Sequence, residues 1–223
     1  MSFYQWVKSS PDYKNYAFQI SVSKCGESES KGWYAFDIAW GDLRFENNNI
    51  TYNKCSRCSS IDSALDGKSS TCNFSTFREN NQTGSSSLVF ISSTNSYIQA
   101  VSYFNVIGNK CNTNSNQVLF FCNYNTNVDH CVFLNNTAAY MFDISYKGYT
   151  LTITDSCIQS KSTTSTGGIV TFQRTNQINY DFYQIPSFYT EFCFMTPKPK
   201  PKRITVLLPY LSKFAEKSSN FIS

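Results

Sequence analysis

Charge is scarce in this chain. Only 15% of the 223 residues are Asp, Glu, Lys or Arg, and there is a single histidine; an average soluble protein carries roughly 25% charged residues. With 19 Lys and Arg against 15 Asp and Glu, the net charge is +4 and no extended basic face can be drawn. Nucleic acid is therefore excluded as a first choice of partner. Long apolar runs are missing as well. The longest, residues 204–211, contains Pro209 and falls far short of the ~20 residues that cross a bilayer, so membrane attachment is expected only through a span outside this chain. The opening MSFYQWVKSS lacks the apolar core of a signal peptide. Localisation is accordingly left open, with the chain expected to be either intracellular or part of a longer exported design. Helical periodicity is absent before residue 200.

Catalytic raw material is thin. The six Glu are scattered and there is no Asp-Asp pair, whereas glycosidic acid–base work needs two converging carboxylates. His130 adjoins Cys131, but neighbours on a strand point to opposite faces, so this is no nucleophile pair. Cys55 and Cys58 form a lone CxxC without the second pair that a structural zinc site requires. The expectation is a protein that is not an enzyme and has no cofactor and no metal. The alternatives are a carbohydrate-active lyase or hydrolase and a truncated, non-functional remnant.

What the chain does have is aromatics (17%) together with 32 Ser, 22 Asn and 19 Thr. A disordered chain lacks the aromatics; this mixture implies many short strands and many turns. It also repeats. Tyr34-Ala-Phe36-Asp37-Ile38-Ala-Trp40 matches Tyr140-Met-Phe142-Asp143-Ile144-Ser-Tyr146 at four of seven positions. Apolar anchors at Ile20, Ile50, Phe77, Val106, Phe133 and Ile158 are spaced 30, 27, 29, 27 and 25 residues apart. Asn53, Asn80, Asn109 and Asn136 follow four of them by three places. Phe45, Cys72, Val101, Val128 and Ile153 precede five of them by five places, with Asn15 the exception before Ile20. Second strands are expected at residues 33–40, 88–91, 118–121, 140–144 and 169–172.

A period near 27 with two or three strands per repeat reads as a β-solenoid, in which stacking places like residues one strand spacing apart. The anchors should point inward, and the asparagines should form a ladder at one corner. Cys25 and Cys55 share an offset from their anchors, so a disulfide between them is possible in an oxidising compartment. Asp37 and Asp143 should occupy one column about four coils apart, too distant to cooperate. The four glycosylation sequons, at Asn49, Asn73, Asn81 and Asn135, are about the number that chance supplies.

The stretch Asp129-His-Cys131-Val-Phe133-Leu-Asn-Asn136-Thr-Ala138 resembles a coil of the right-handed parallel β-helix, pectin-lyase-like surface proteins of parasitic protists. It is similar, too, to the repeats of bacterial polymorphic outer-membrane proteins. The resemblance implies an all-β, right-handed parallel β-helix of about six to seven coils with a short C-terminal helical tail. A Greek-key sandwich is the fallback. The expected organisation is an N-terminal cap (1–14), the β-helix (15–195), a Pro/Lys linker (196–203) and an amphipathic tail (204–223). It further implies a non-enzymatic recognition or adhesion module at a cell surface or secreted, binding a host protein or glycan. The candidate binding residues are Trp33, Tyr34, Trp40 and Tyr140, aromatics of the kind favoured at interfaces.

Overall fold

In the computed structural model the chain divides into two units, 1–190 and 191–223, and every described residue lies in the first. The structure describes residues 3–8, 10, 12–25, 34–55, 57–63, 71–82, 86–92, 98–111, 117–164 and 167–175. The expected linker and helical tail lie outside them.

The first unit is an all-β parallel solenoid. Face I stacks Phe3–Trp6, Tyr34–Ala39, Arg57–Ser63, Ser86–Ser92, Val118–Cys122 and Tyr140–Ile144. Face II stacks Lys14–Phe18, Asp42–Glu46, Thr71–Asn73, Gln99–Ser102, Thr126–Asp129, Thr150–Thr154 and Ile169–Gln173. Face III stacks Ser21–Ser23, Asn49–Thr51, Thr76–Arg78, Asn105–Ile107, Val132–Leu134 and Cys157–Ile158. A short fourth sheet joins Lys54–Cys55, Asn81–Gln82 and Lys110–Cys111. Among the described residues every pairing between successive rungs is parallel, as between Phe77 and Val106 or Val101 and Val128. A Greek-key sandwich, built on antiparallel pairs, is thereby ruled out for this unit.

About four turns have a neighbour on both sides in all three faces. The fully enclosed stack is thus shorter than the six to seven coils expected, because the outer rungs are open on one side in at least one sheet. Phe3–Trp6, inside the stretch expected as a cap, is already a rung of face I. Of the second strands, residues 169–172 belong to face II rather than face I, paired with Thr150–Thr154.

Inward-facing positions recur once per turn. On face III, Val22, Ile50, Phe77, Val106, Phe133 and Ile158 are in register and buried. Five of the six expected anchors hold these places, and Val22 replaces Ile20. On face II the matching column is Ala17, Phe45, Cys72, Val101, Val128, Ile153 and Phe172. Ring contacts bind the faces into one core, including Phe36–Phe45 at 5.0 Å and Phe133–Phe142 at 4.9 Å. Strand pairing alone would leave each coil's apolar side wet; stacking removes it from water at roughly 25 cal/mol per Å2.

Two corners bound face III, and each turns on a left-handed residue. The II–III corner uses Gln19, Asn47, Phe74, Tyr103, His130 and Asp155, all with φ between 45° and 56°. The corner after face III uses Lys24, Tyr52, Glu79, Gly108 and Asn135. Left-handed backbone costs a non-glycine residue roughly 1–2 kcal/mol. The cost is offset by ladders of hydrogen bonds made by the residue that follows. At the second corner Oδ1 of Asn80, Asn109 and Asn136 each accepts from the backbone amide of the asparagine one turn below. The Nδ2 of Asn53, Asn80 and Asn109 donates both to the next Oδ1 and to a carbonyl, as Asn80 does to Asn109 Oδ1 and to the Ile50 carbonyl, while Asn136 Nδ2 donates to the Val106 carbonyl. At the II–III corner a mixed ladder does the same work. Asn48 Oδ1 accepts from Ile20 N, Ser75 Oγ from Asn48 N, Cys131 Sγ from Phe104 N, and Ser156 Oγ from Cys131 N.

Candidate functional site

The aromatics singled out in the sequence are not gathered at one place. Trp33 lies outside the described residues. Tyr34 and Tyr140 are half-buried and share one column of face I, but four strand spacings, about 19 Å, separate them. Trp40 is half-buried and meets Trp6 at 5.1 Å, and Trp6 in turn stacks on Tyr4 at 5.0 Å. Gly41 fixes the turn beside Trp40. It has φ +77°, and a Cβ there would come within 2.3 Å of the Tyr13 carbonyl oxygen. Asp37 and Asp143 do share a column four rungs apart, through Ser60, Val89 and Phe121.

Cys25 is two residues out of the expected register. Its amide donates to Asn53 Oδ1, so it stands opposite Asn53 and not opposite Cys55. The column of Cys55 runs through Gln82 to Cys111. The shared offset that motivated a disulfide between Cys25 and Cys55 is therefore absent. Cys58 lies on a face I strand. Buried thiols line the core. Burial pushes Cys122 and Cys131 up to about 12, and Cys72 also upward, which keeps all three protonated and unreactive at neutral pH.

The residues that do converge sit on the II–III corner. A left-handed residue turns its side chain outward once per rung, and rungs repeat at the strand spacing, so aromatic side chains there stack. Phe74 and Tyr103 lie 4.8 Å apart at 8°, and Tyr103 and His130 lie 5.2 Å apart at 27°. Phe74 and Tyr103 keep 39% and 38% exposure. Beyond His130 the column continues into Asp155 and Arg174.

Charge collects at that end. Asp129, the last residue of its strand, points to the same side as His130 because the left-handed turn breaks the strand's alternation. Its Oδ2 lies 2.7 Å from His130 Nδ1. Arg174 donates from Nε and Nη2 to the two carboxylate oxygens of Asp155, at 2.7 and 2.6 Å. That paired bond holds the Asp155 carboxyl below its ordinary range and raises Arg174 in return. Convergence of Asp and Arg on His130 was not expected from the sequence. It occurs on an exposed ridge, and the signal was available: His130, Asp155, Tyr103 and Phe74 all lie three places before an anchor.

No helix among the described residues is long and apolar enough to cross a membrane. No protein-family model, curated protein or solved structure matches the chain. The class defined by the coordinates is that of a parallel β-solenoid with an aromatic and charged ridge along one corner.

Proposed function

We propose that the protein is a non-enzymatic recognition module, displayed at a cell surface or secreted, that binds a host glycan or protein along the Phe74–Tyr103–His130 ridge. The observation that carries this reading is the exposed aromatic stack on left-handed backbone. Asn or Gly would occupy those positions with less strain. Bulky rings kept at a strained, solvated corner favour a role outside folding. A glycan is the preferred ligand. Beside the rings runs the outward column Asn73, Ser102, Asp129 and Thr154, one polar side chain per rung. An extended β-linked glycan advances by about one strand spacing per sugar, so successive hydroxyls meet successive rungs. The finer assignment, to right-handed pectin-lyase-like surface proteins, draws support from the Asp129–Ala138 coil and from the strong right-handed preference of parallel crossovers.

The enzyme reading has one observation in its favour, the closeness of Asp129, His130 and Asp155. Against it, a carboxyl acting as general acid needs a raised pKa, and Arg174 lowers that of Asp155.

The test is a glycan array probed with the full chain and with Tyr103→Asn, a residue that tolerates the left-handed corner. Binding by the native chain that is lost in Tyr103→Asn, with thermal unfolding unchanged, is the expected result. Equal binding by both, or binding to none of the glycans, counts against the ridge as a glycan site. Turnover of a bound polymer that disappears in Asp155→Asn would turn the reading toward the enzyme.

A further inference from the structure

The geometry points to a site for a first-row divalent metal, of the kind Zn2+ fills, formed by Asp129, His130 and Asp155 at the charged end of the ridge. Each of the three offers one ligand atom, and these atoms lie within 4.8 Å of one another. Two carboxylate oxygens and one imidazole nitrogen suit Zn2+, which binds such atoms at ~2.0–2.2 Å. Ligand atoms around one ion at those bond lengths are ~3–4 Å apart, so small side-chain rotations bring the trio onto it. The side chains of Asp129, His130 and Asp155 are 40%, 46% and 30% exposed. An ion can therefore enter from solvent and keep water in its remaining positions.

The fold, and not chance proximity of flexible side chains, places the three. Asp129 and His130 are successive residues turned to one side by the left-handed φ of 50° at His130. Asp155 is the corner residue of the next rung, and the backbone is pinned there by His130 N donating to the Thr154 carbonyl and Asp155 N to the Gln173 carbonyl. A cation already occupies part of this arrangement. The Arg174 guanidinium is seated on both oxygens of Asp155 and is also held by the charge of Asp129. Arg174 is thus the internal competitor of a metal. Removing it while leaving the three ligands is the change that separates a metal site from an ion-pair cluster.

His130 is the only histidine in the chain, so its imidazole NMR signals report this site alone, whatever the nine cysteines do. The experiment titrates the full chain with ZnCl2 while following those signals. A saturable shift is expected. Arg174→Gln should tighten binding about fivefold, because a positive charge within ~5 Å of the ion is removed. Asp155→Asn should weaken it about tenfold. No shift up to about 1 mM Zn2+, weaker or unchanged binding in Arg174→Gln, or unchanged binding in Asp155→Asn would each overturn the proposal. Arg174 is exposed and Asp155 half-buried, so thermal unfolding is followed for both variants, and an unchanged midpoint is expected. No glycan enters the measurement, so failure here leaves the recognition reading untouched.

Discussion

Asn109 Oδ1 accepts two hydrogen bonds from Asn80 one turn away, from the backbone amide at 3.1 Å and from Nδ2 at 2.9 Å. Asn109 Nδ2 returns one to the carbonyl of Phe77 at 2.9 Å. Both asparagines are fully buried. Asn109→Ala strands the amide of Asn80 and the carbonyl of Phe77 in the core, where each unsatisfied group costs roughly 1–3 kcal/mol. A loss of about 2–4 kcal/mol is expected in urea unfolding. Thr137→Ala, at the exposed residue just after the ladder, should cost no more than about 1 kcal/mol. Equal losses in the two would show that the ladder is not a stabilising element.

That ladder was legible because asparagine supplies both a donor and an acceptor at every rung, and selection for one residue leaves a visible period. The ladder of the II–III corner was not. It needs only an acceptor, which Asn48, Ser75, Cys131 and Ser156 all provide, so no single letter repeats. In the first coil the sequence spacing points to Ile20 and Asn15, whereas Val22 and Ala17 pair with Ile50 and Phe45, a two-residue slip that preserves inside–outside alternation and so leaves the apolar pattern looking right. Cys25 was displaced by the same slip. The ridge was hidden for another reason: its left-handed positions hold Gln, Asn, Phe, Tyr, His, Asp and Arg, and an outward corner imposes a backbone angle but no side-chain type.

Phe133 offers a test of the core. It is 2% exposed and packs edge-on to Phe142 at 4.9 Å and to Phe120 at 6.1 Å. Phe133→Ala removes a ring from the centre of the stack and should cost about 3–5 kcal/mol, with Phe133→Leu well under half of that. Calorimetric or urea unfolding reads both. A cost below ~1 kcal/mol for the alanine variant would mean that this column is not the core.

The buried thiols make stability depend on alkaline pH. Cys122 and Cys131 are pushed by burial from the ordinary 9.0 up to about 12. Below about pH 9 the thiols are protonated in both folded and unfolded chains, and their contribution is intact. Between 9 and 12 the unfolded chain releases these protons and the folded chain does not. The unfolded state then binds fewer protons, so stability falls as pH rises, approaching about 1.4 kcal/mol per pH unit for each thiol. Urea midpoints should be flat from about pH 7 to 8.5 and drop above 9. Cys131→Ser keeps an acceptor for the Phe104 amide and should make that drop shallower; an unchanged slope in this variant would remove Cys131 as its source.

The stack of Phe74 on Tyr103 sets two small energies against each other. Near-parallel rings 4.8 Å apart gain about 0.5–1.5 kcal/mol beyond their buried area. Each ring stands on left-handed backbone, with φ of 51° and 56°, which Asn adopts at lower cost. Phe74→Asn and Tyr103→Asn should therefore each change stability by less than about 1 kcal/mol, since strain relief offsets the lost contact. The two effects separate in the double variant. With Phe74 gone, replacing Tyr103 relieves strain without losing the Phe74 stack, and its contact with His130 is lost alike in both backgrounds, so the double substitution should be more stable than the sum of the singles by about 0.5–1.5 kcal/mol. Additive singles would mean that the rings are merely neighbours. A coupling of the expected size, together with loss of ligand binding in either single variant, would separate what the rings do for the fold from what they do for recognition.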